Sequence, residues 1–216
     1  MTLYSELDAA IERDDGAPVV AWARAVLDGV LTDRLGVGVV RHPLGFLCVP
    51  AHRDGPEGVC VHLWEARSAS AAPITSVPHS HSWDLSSWVA AGALHNRTIR
   101  VVDTDDAPTH RVFDVRSGPE GDHVRPTSRL VRTEVERTLV HRAGERYRLS
   151  AGIFHETVVP DEADVVVTVA LGWTRAAMPN LSLGDPDAGE HRVVRRLCER
   201  DEAVRVASIG LAAIAG

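Results

Sequence analysis

From His79 to Gly92 the chain reads HSHSWDLSSWVAAG. Successive side chains of a β-strand point to opposite faces, so a strand starting at the histidines puts His79, His81, Trp83, Leu85 and Ser87 on one side. Two imidazoles two residues apart can share one metal ion, and a third ligand then has to come from elsewhere. The pair alone carries little weight, because 11 histidines in 216 residues give a His-x-His by chance roughly half a time. The text around it decides the reading. Further on, from Gly144 to His155, the chain reads GERYRLSAGIFH, a turn-forming glycine, a short strand, a second glycine and a histidine.

Short apolar runs broken by Gly, Pro and Asp flank both stretches: Phe46–Val49, Val59–Trp64, Ser82–Ala90, Thr98–Val102, Arg111–Val115, Leu139–Arg142 and Val165–Trp173. That texture predicts an antiparallel barrel or sandwich. The segment from Asp103 to Thr127, rich in Asp, Pro, Gly and Arg, predicts a loop and a hairpin. Before the strands, Leu7, Ala10 and Ile11 recur at helical spacing. Pro18 then suits a helix start, and Val19, Val20, Trp22, Ala23, Val26, Leu27 and Leu31 form a second stripe that ends near Gly36. After the strands, 175–190 reads as an irregular crossing and 191–213 as a C-terminal helix. The expected layout is one domain: a helical extension over 1–40, a barrel over 41–175, and a loop and helix over 176–216 packed on the barrel.

Composition sets outer bounds. A net charge of −7 argues against a nucleic-acid binder, which needs a basic face, and against docking on an acidic membrane. The first residues show no basic, then apolar, leader pattern, and the longest nearly apolar run, Val165 to Trp173, is too short for a bilayer. Cys48, Cys60 and Cys198 are odd in number and share no metal-type spacing, so the expectation is reduced thiols in a cytoplasmic protein, with a regulatory disulfide as the minor alternative.

The two quoted stretches resemble the two motifs of the cupin superfamily, and the resemblance covers about residues 45 to 174. The later part of the first motif falls on His79, His81, Leu85 and Gly92, with Pro73 where the motif opens on Gly. The second falls on Gly144, Ser150, Gly152 and His155, with Ser150 in place of Pro and Val159 in place of Asn. The resemblance implies a mainly β cupin jelly-roll barrel with N-terminal helices and a C-terminal helix. It further implies one divalent transition metal held by His79, His81 and His155. The motif's glutamate is Leu85 here, which cannot ligate, so the implied site is three neutral histidines, as in cysteine-dioxygenase-like cupins. Fe(II) suits such a site best, with Zn, Ni, Mn or Co as alternatives.

A carboxylate-free site leaves the metal's 2+ charge uncompensated, which favours a substrate bound as an anion: a thiolate, an enolate, or an amino or hydroxy acid. The expected function is an Fe(II) dioxygenase using O2 on such a molecule. A metal-dependent isomerase, lyase or hydrolase and a non-catalytic binding module are the alternatives, in a monomer or homodimer. Asp84 competes as a fourth ligand if a bulge turns it inward. Tyr147 is the candidate proton donor. Trp83, Leu85 and Ser87 are candidate pocket walls, and Arg97, with Arg53, Arg100 and Arg146 considered beside it, is the candidate carboxylate clamp.

Overall fold

In the computed structural model, residues 2–65, 75–118, 120–160 and 164–216 are described. Pro73, at the first motif's opening position, lies outside them. Two helices lead the chain. Helix α1 (Leu3–Glu12) begins where the Thr2 hydroxyl accepts from the Ser5 N–H at 3.1 Å, a side-chain N-cap. Tyr4, Leu7, Ala10 and Ile11 form its buried face. Helix α2 (Gly16–Leu31) buries Val19, Ala23, Val26, Leu27 and Val30. Both fall where helical spacing places them.

Fourteen strands follow among the described residues: β1 (Val40–His42), β2 (Phe46–Asp54), β3 (Glu57–Trp64), β4 (His79–Ser80), β5 (Trp83–Ala91), β6 (Ala93–Asp103), β7 (His110–Gly118), β8 (Gly121–Arg142), β9 (Arg146–Leu149), β10 (His155–Val158), β11 (Val166–Thr174), β12 (Leu181–Gly184), β13 (His191–Val193) and β14 (Arg196–Leu197). They form two antiparallel sheets, ordered β14-β1-β2-β3-β11-β5-β9 and β13-β8-β6-β10-β4-β12-β7. Strand β8 is long enough to pair with β7 through its first half and with β6 through its second, which closes the second sheet on itself. The chain ends in α3 (Arg200–Ala215). This is the mainly β, jelly-roll-like double sheet with helices at both ends that the sequence predicts.

The central strands β3 and β11 of the first sheet are buried on both faces, and alternation sorts the residues of β2, β3 and β11. Leu47 and Val49 of β2, Val59, Val61 and Leu63 of β3, and Val167, Val169 and Leu171 of β11 form one core with Tyr4, Ile11, Leu27 and Val206 of the helices. The intervening residues, Cys48, Cys60, His62, Trp64 and Ala170, turn inward and line a cavity.

Three expectations are corrected. The strand read from the histidines is interrupted: His79 lies in β4 of the second sheet, and the chain crosses through His81 and Ser82 to enter the first sheet at Trp83. The C-terminal helix starts at Arg200 rather than His191, because Val193 is buried against Phe113 and Val124 and the segment before the helix pairs with the free edges of β8 and β1. The stretch 175–190 is not wholly irregular either, since β12 pairs with β4 and β7.

Candidate metal centre

Strand pairing brings the three motif histidines together. His155 is the Cα partner of His79 across β10 and β4, and of Thr98 across β10 and β6. Gly152, at φ 82°, turns the chain into β10, and its N–H donates to the His81 carbonyl at 3.0 Å. That bond ties the segment leading to His155 to the segment that crosses between sheets. Ring centroids lie 4.4 Å apart for His79 and His155, 4.9 Å for His81 and His155, and 6.0 Å for His79 and His81.

Each ring is held the same way. Nδ1 of His79 lies 2.8 Å from the Val77 carbonyl, Nδ1 of His81 lies 2.6 Å from that of Trp83, and Nδ1 of His155 lies 3.0 Å from that of Ile153. A carbonyl oxygen has no proton to give, so each Nδ1 must carry hydrogen and each Nε2 is left with a bare lone pair. Burial keeps the rings neutral: it lowers the pKa of His79, drives that of His155 well below the ordinary value, and brings that of His81 down to about 3. The Nε2 of His81 is buried and has no hydrogen-bond partner. Three neutral imidazoles of fixed tautomer lining one cavity offer the donor type that a transition-metal ion takes, although their nitrogens are not all within 4.8 Å of one another. His81 is the outlier, lying flat on the Trp83 ring at 3.6 Å and 7°.

The cavity has a volume of about 580 Å³ and is lined from both sheets. Trp83 and Leu85 line it, with Trp83 lying over Gly172, where any Cβ would meet the indole at 3.1 Å. Ser87 shares their face but, contrary to expectation, does not line the cavity: it is fully buried, and its hydroxyl donates to the Val169 carbonyl at 3.1 Å. Tyr147, the Cα partner of Ser87 on β9, also lines the cavity. Burial pushes its phenol up to about 12, against a lowering hydrogen bond with Ser87. It is therefore a neutral O–H donor at ordinary pH.

The arginines sort differently from expectation. Arg97 is the Cα partner of Glu156, and the two are ion-paired at 3.1 Å on the face opposite His155, outside the cavity. Alternation along β10 turns Glu156 away from His155, and Arg97 follows its partner. Arg100 pairs with Glu134, and Arg146 with Glu12 and Asp14. Arg53 and Arg195 line the cavity, and Arg195 is held by Asp122 through two bonds of 2.9 Å. Asp84 points the other way: its carboxylate accepts from the Ala151 N–H at 2.8 Å and from Arg175 Nε at 2.7 Å.

Sequence reasoning passed over one group. Among the described residues, Cys48, Cys60 and His62 form the group of three His, Cys, Asp or Glu whose ligand atoms all lie within 4.8 Å of one another; the three motif histidines stand wider apart. Cys48 faces His62 across β2 and β3, and Cys60 precedes His62 by two residues on β3. The signal was the Cys60-x-His62 spacing on a strand, the same period of two that drew attention to His79 and His81. Reading the cysteines only against metal-type Cys–Cys spacings hid it.

No family model and no curated protein matches the chain. Among solved structures it is similar to a hydroquinone 1,2-dioxygenase in complex with Cd2+ and 4-hydroxybenzonitrile, at 14% identity and TM-score 0.34, over 61% of this chain and 65% of that one. It is also similar to an L-ribose isomerase of Cellulomonas parahominis. Without ligand, the figures are 15% identity and TM-score 0.33, over 58% of this chain and 57% of that one. With L-psicose they are 15% and 0.31, over 73% and 62%. The match spans less than two thirds of each of those chains. No helix among the described residues is long and apolar enough to cross a membrane.

Proposed function

We propose that the protein is a mononuclear metalloenzyme of the cupin type, holding one divalent transition metal through His79, His81 and His155 and acting as an Fe(II) dioxygenase on a small anionic molecule. One observation carries the reading: all three rings line one cavity and spend Nδ1–H on a main-chain carbonyl, which leaves Nε2 as the free donor of each. A bound Fe(II) would supply Lewis acidity and one-electron redox chemistry there.

The chain's own residues do the rest. Trp83 and Leu85 exclude water beside the histidines and raise the strength of electrostatic interactions there. Tyr147 holds its proton, and the phenol can donate a hydrogen bond to a substrate anion without being ionised by it. Arg53, rather than Arg97, offers positive charge at the cavity wall to balance a carboxylate, since the charge of Arg195 is met by Asp122.

Oxygen uptake by Fe(II)-loaded protein across thiols, β-diketones and α-amino acids tests the reading. Iron-dependent O2 consumption with one class, lost in His155→Ala, is the expected result. Turnover of a substrate without O2 would replace it with an isomerase or lyase in which the metal is a Lewis acid alone. Binding without turnover would replace it with a carrier.

A further inference from the structure

The cavity has a second set of donors on the opposite wall. His79 and His155 stand on the second sheet, whereas Cys48, Cys60 and His62 stand on β2 and β3 of the first. Cys48 is the Cα partner of His62, and Cys60 shares the face of His62 by strand alternation. The neighbouring strand is small at this point, with Ala170 opposite Cys60 and Thr168 opposite His62. The two sulfurs and an imidazole nitrogen lie within 4.8 Å of one another, and both cysteines are free thiols. The alternate residues of the same strands, Val49, Val59, Val61 and Leu63, are fully or almost fully buried under the helices, so the donors sit on a rigid strand pair. The rings of Phe46, at 4.6 Å, and Trp64, at 5.7 Å, both pack against His62 and fix the imidazole from the other side.

We infer that Cys48, Cys60 and His62 form a second metal site, for a thiophilic divalent ion of the Zn(II) type, with its fourth position open to the cavity. Two thiolates and a neutral imidazole cancel a 2+ charge, so the loaded site is neutral and tolerates burial without a counter-ion. The histidine site on the other wall has the opposite balance, three neutral donors and an uncompensated 2+ charge. Donor softness separates the metals: thiolates select Zn(II), and imidazoles alone accept Fe(II). Three protein donors with one open position is the ligand count of a catalytic rather than a structural zinc site. A ligand bridging the cavity would then meet a metal at each wall, with Arg53 beside the thiolate side.

Co(II) is the probe, because a thiolate bound to it gives a near-ultraviolet charge-transfer band that imidazole ligation does not. Metal-free, reduced protein titrated with Co(II) should develop that band, and Zn(II) should abolish it by displacement. Cys48→Ala and Cys60→Ala should each weaken the band's titration at least tenfold, and His81→Ala should leave it intact. The last variant separates this site from the histidine reading, since it removes a ligand of that site alone. Zn(II) should also protect Cys48 and Cys60 of the wild-type protein from alkylation while leaving Cys198 unprotected, which needs no variant to fold. Absence of the band and of protection in folded wild type would overturn the inference, as would a band that survives in both cysteine variants or a Cys48–Cys60 disulfide that forms regardless of added Zn(II).

Discussion

At Asp84 and Leu85 two neighbouring side chains part ways, and the site's character follows from it. Leu85 lines the cavity and is 8% exposed, while Asp84 turns outward to the Ala151 N–H and Arg175. The Ala151 hydrogen bond, then Arg175, holds the Asp84 carboxyl below the ordinary carboxylate range. Asp84→Asn should therefore leave metal content unchanged and cost about 1 kcal/mol, since the carboxylate is partly exposed and its bonds are screened; metal analysis and urea unfolding of one variant check both. Leu85→Glu should retain metal and lose most activity on an anionic substrate, because the new carboxylate crowds the cavity and cancels attraction. The histidines set a pH dependence. Their folded pKa values lie below 6.5, so the unfolded chain binds more protons beneath that pH and stability rises with pH there. The metal-free protein should lose melting temperature progressively as pH falls from about 6.5 towards 3. A flat profile over that range would mean that the rings are already charged in the fold.

Among the elements, alternation was the legible part and connection was not. The period of two assigned Trp83, Leu85 and Ser87 to the inner face from sequence, and register with Ala170 and Gly172 of β11 gives the same sorting. It could not show that His79 and His81 straddle a change of sheet, because the crossing is dictated by pairing of β4 with β10 and β12, strands of two to four residues with no periodic signal. Arg97 was misplaced for a related reason: its direction depends on which face of β6 is inside, and only the partner strand with Glu156 fixes that. Arg97→Ala should thus leave substrate affinity within twofold and change stability by less than about 1 kcal/mol, as for other surface ion pairs. The motif glycines were legible because their reason is local. Gly92 sits at φ 75°, and a Cβ there would approach the Val165 carbonyl oxygen at 2.4 Å. Gly92→Ala should destabilise the β5–β6 turn by on the order of 2–3 kcal/mol in urea unfolding, through backbone strain and the clash together.

At the scale of the whole molecule, the helices do more than extend the barrel. By covering the outer face of the first sheet with Tyr4, Ile11, Leu27 and Val206, they bury β3 and β11 on both sides, which is what allows cysteines and histidines to be presented rigidly on the inner one. The second sheet closes through β8 and presents His79 and His155 across the same cavity. The molecule thus places histidines on one side and two cysteines with a histidine on the other side of one space of about 580 Å³. The most direct test is a crystal structure of the Fe(II)-loaded protein with anomalous data collected on either side of the iron edge. The account predicts an iron peak within about 2.0–2.2 Å of the three Nε2 atoms of His79, His81 and His155. An iron peak at Cys48, Cys60 and His62 alone, or none in the cavity of a protein that turns over its substrate, would contradict it.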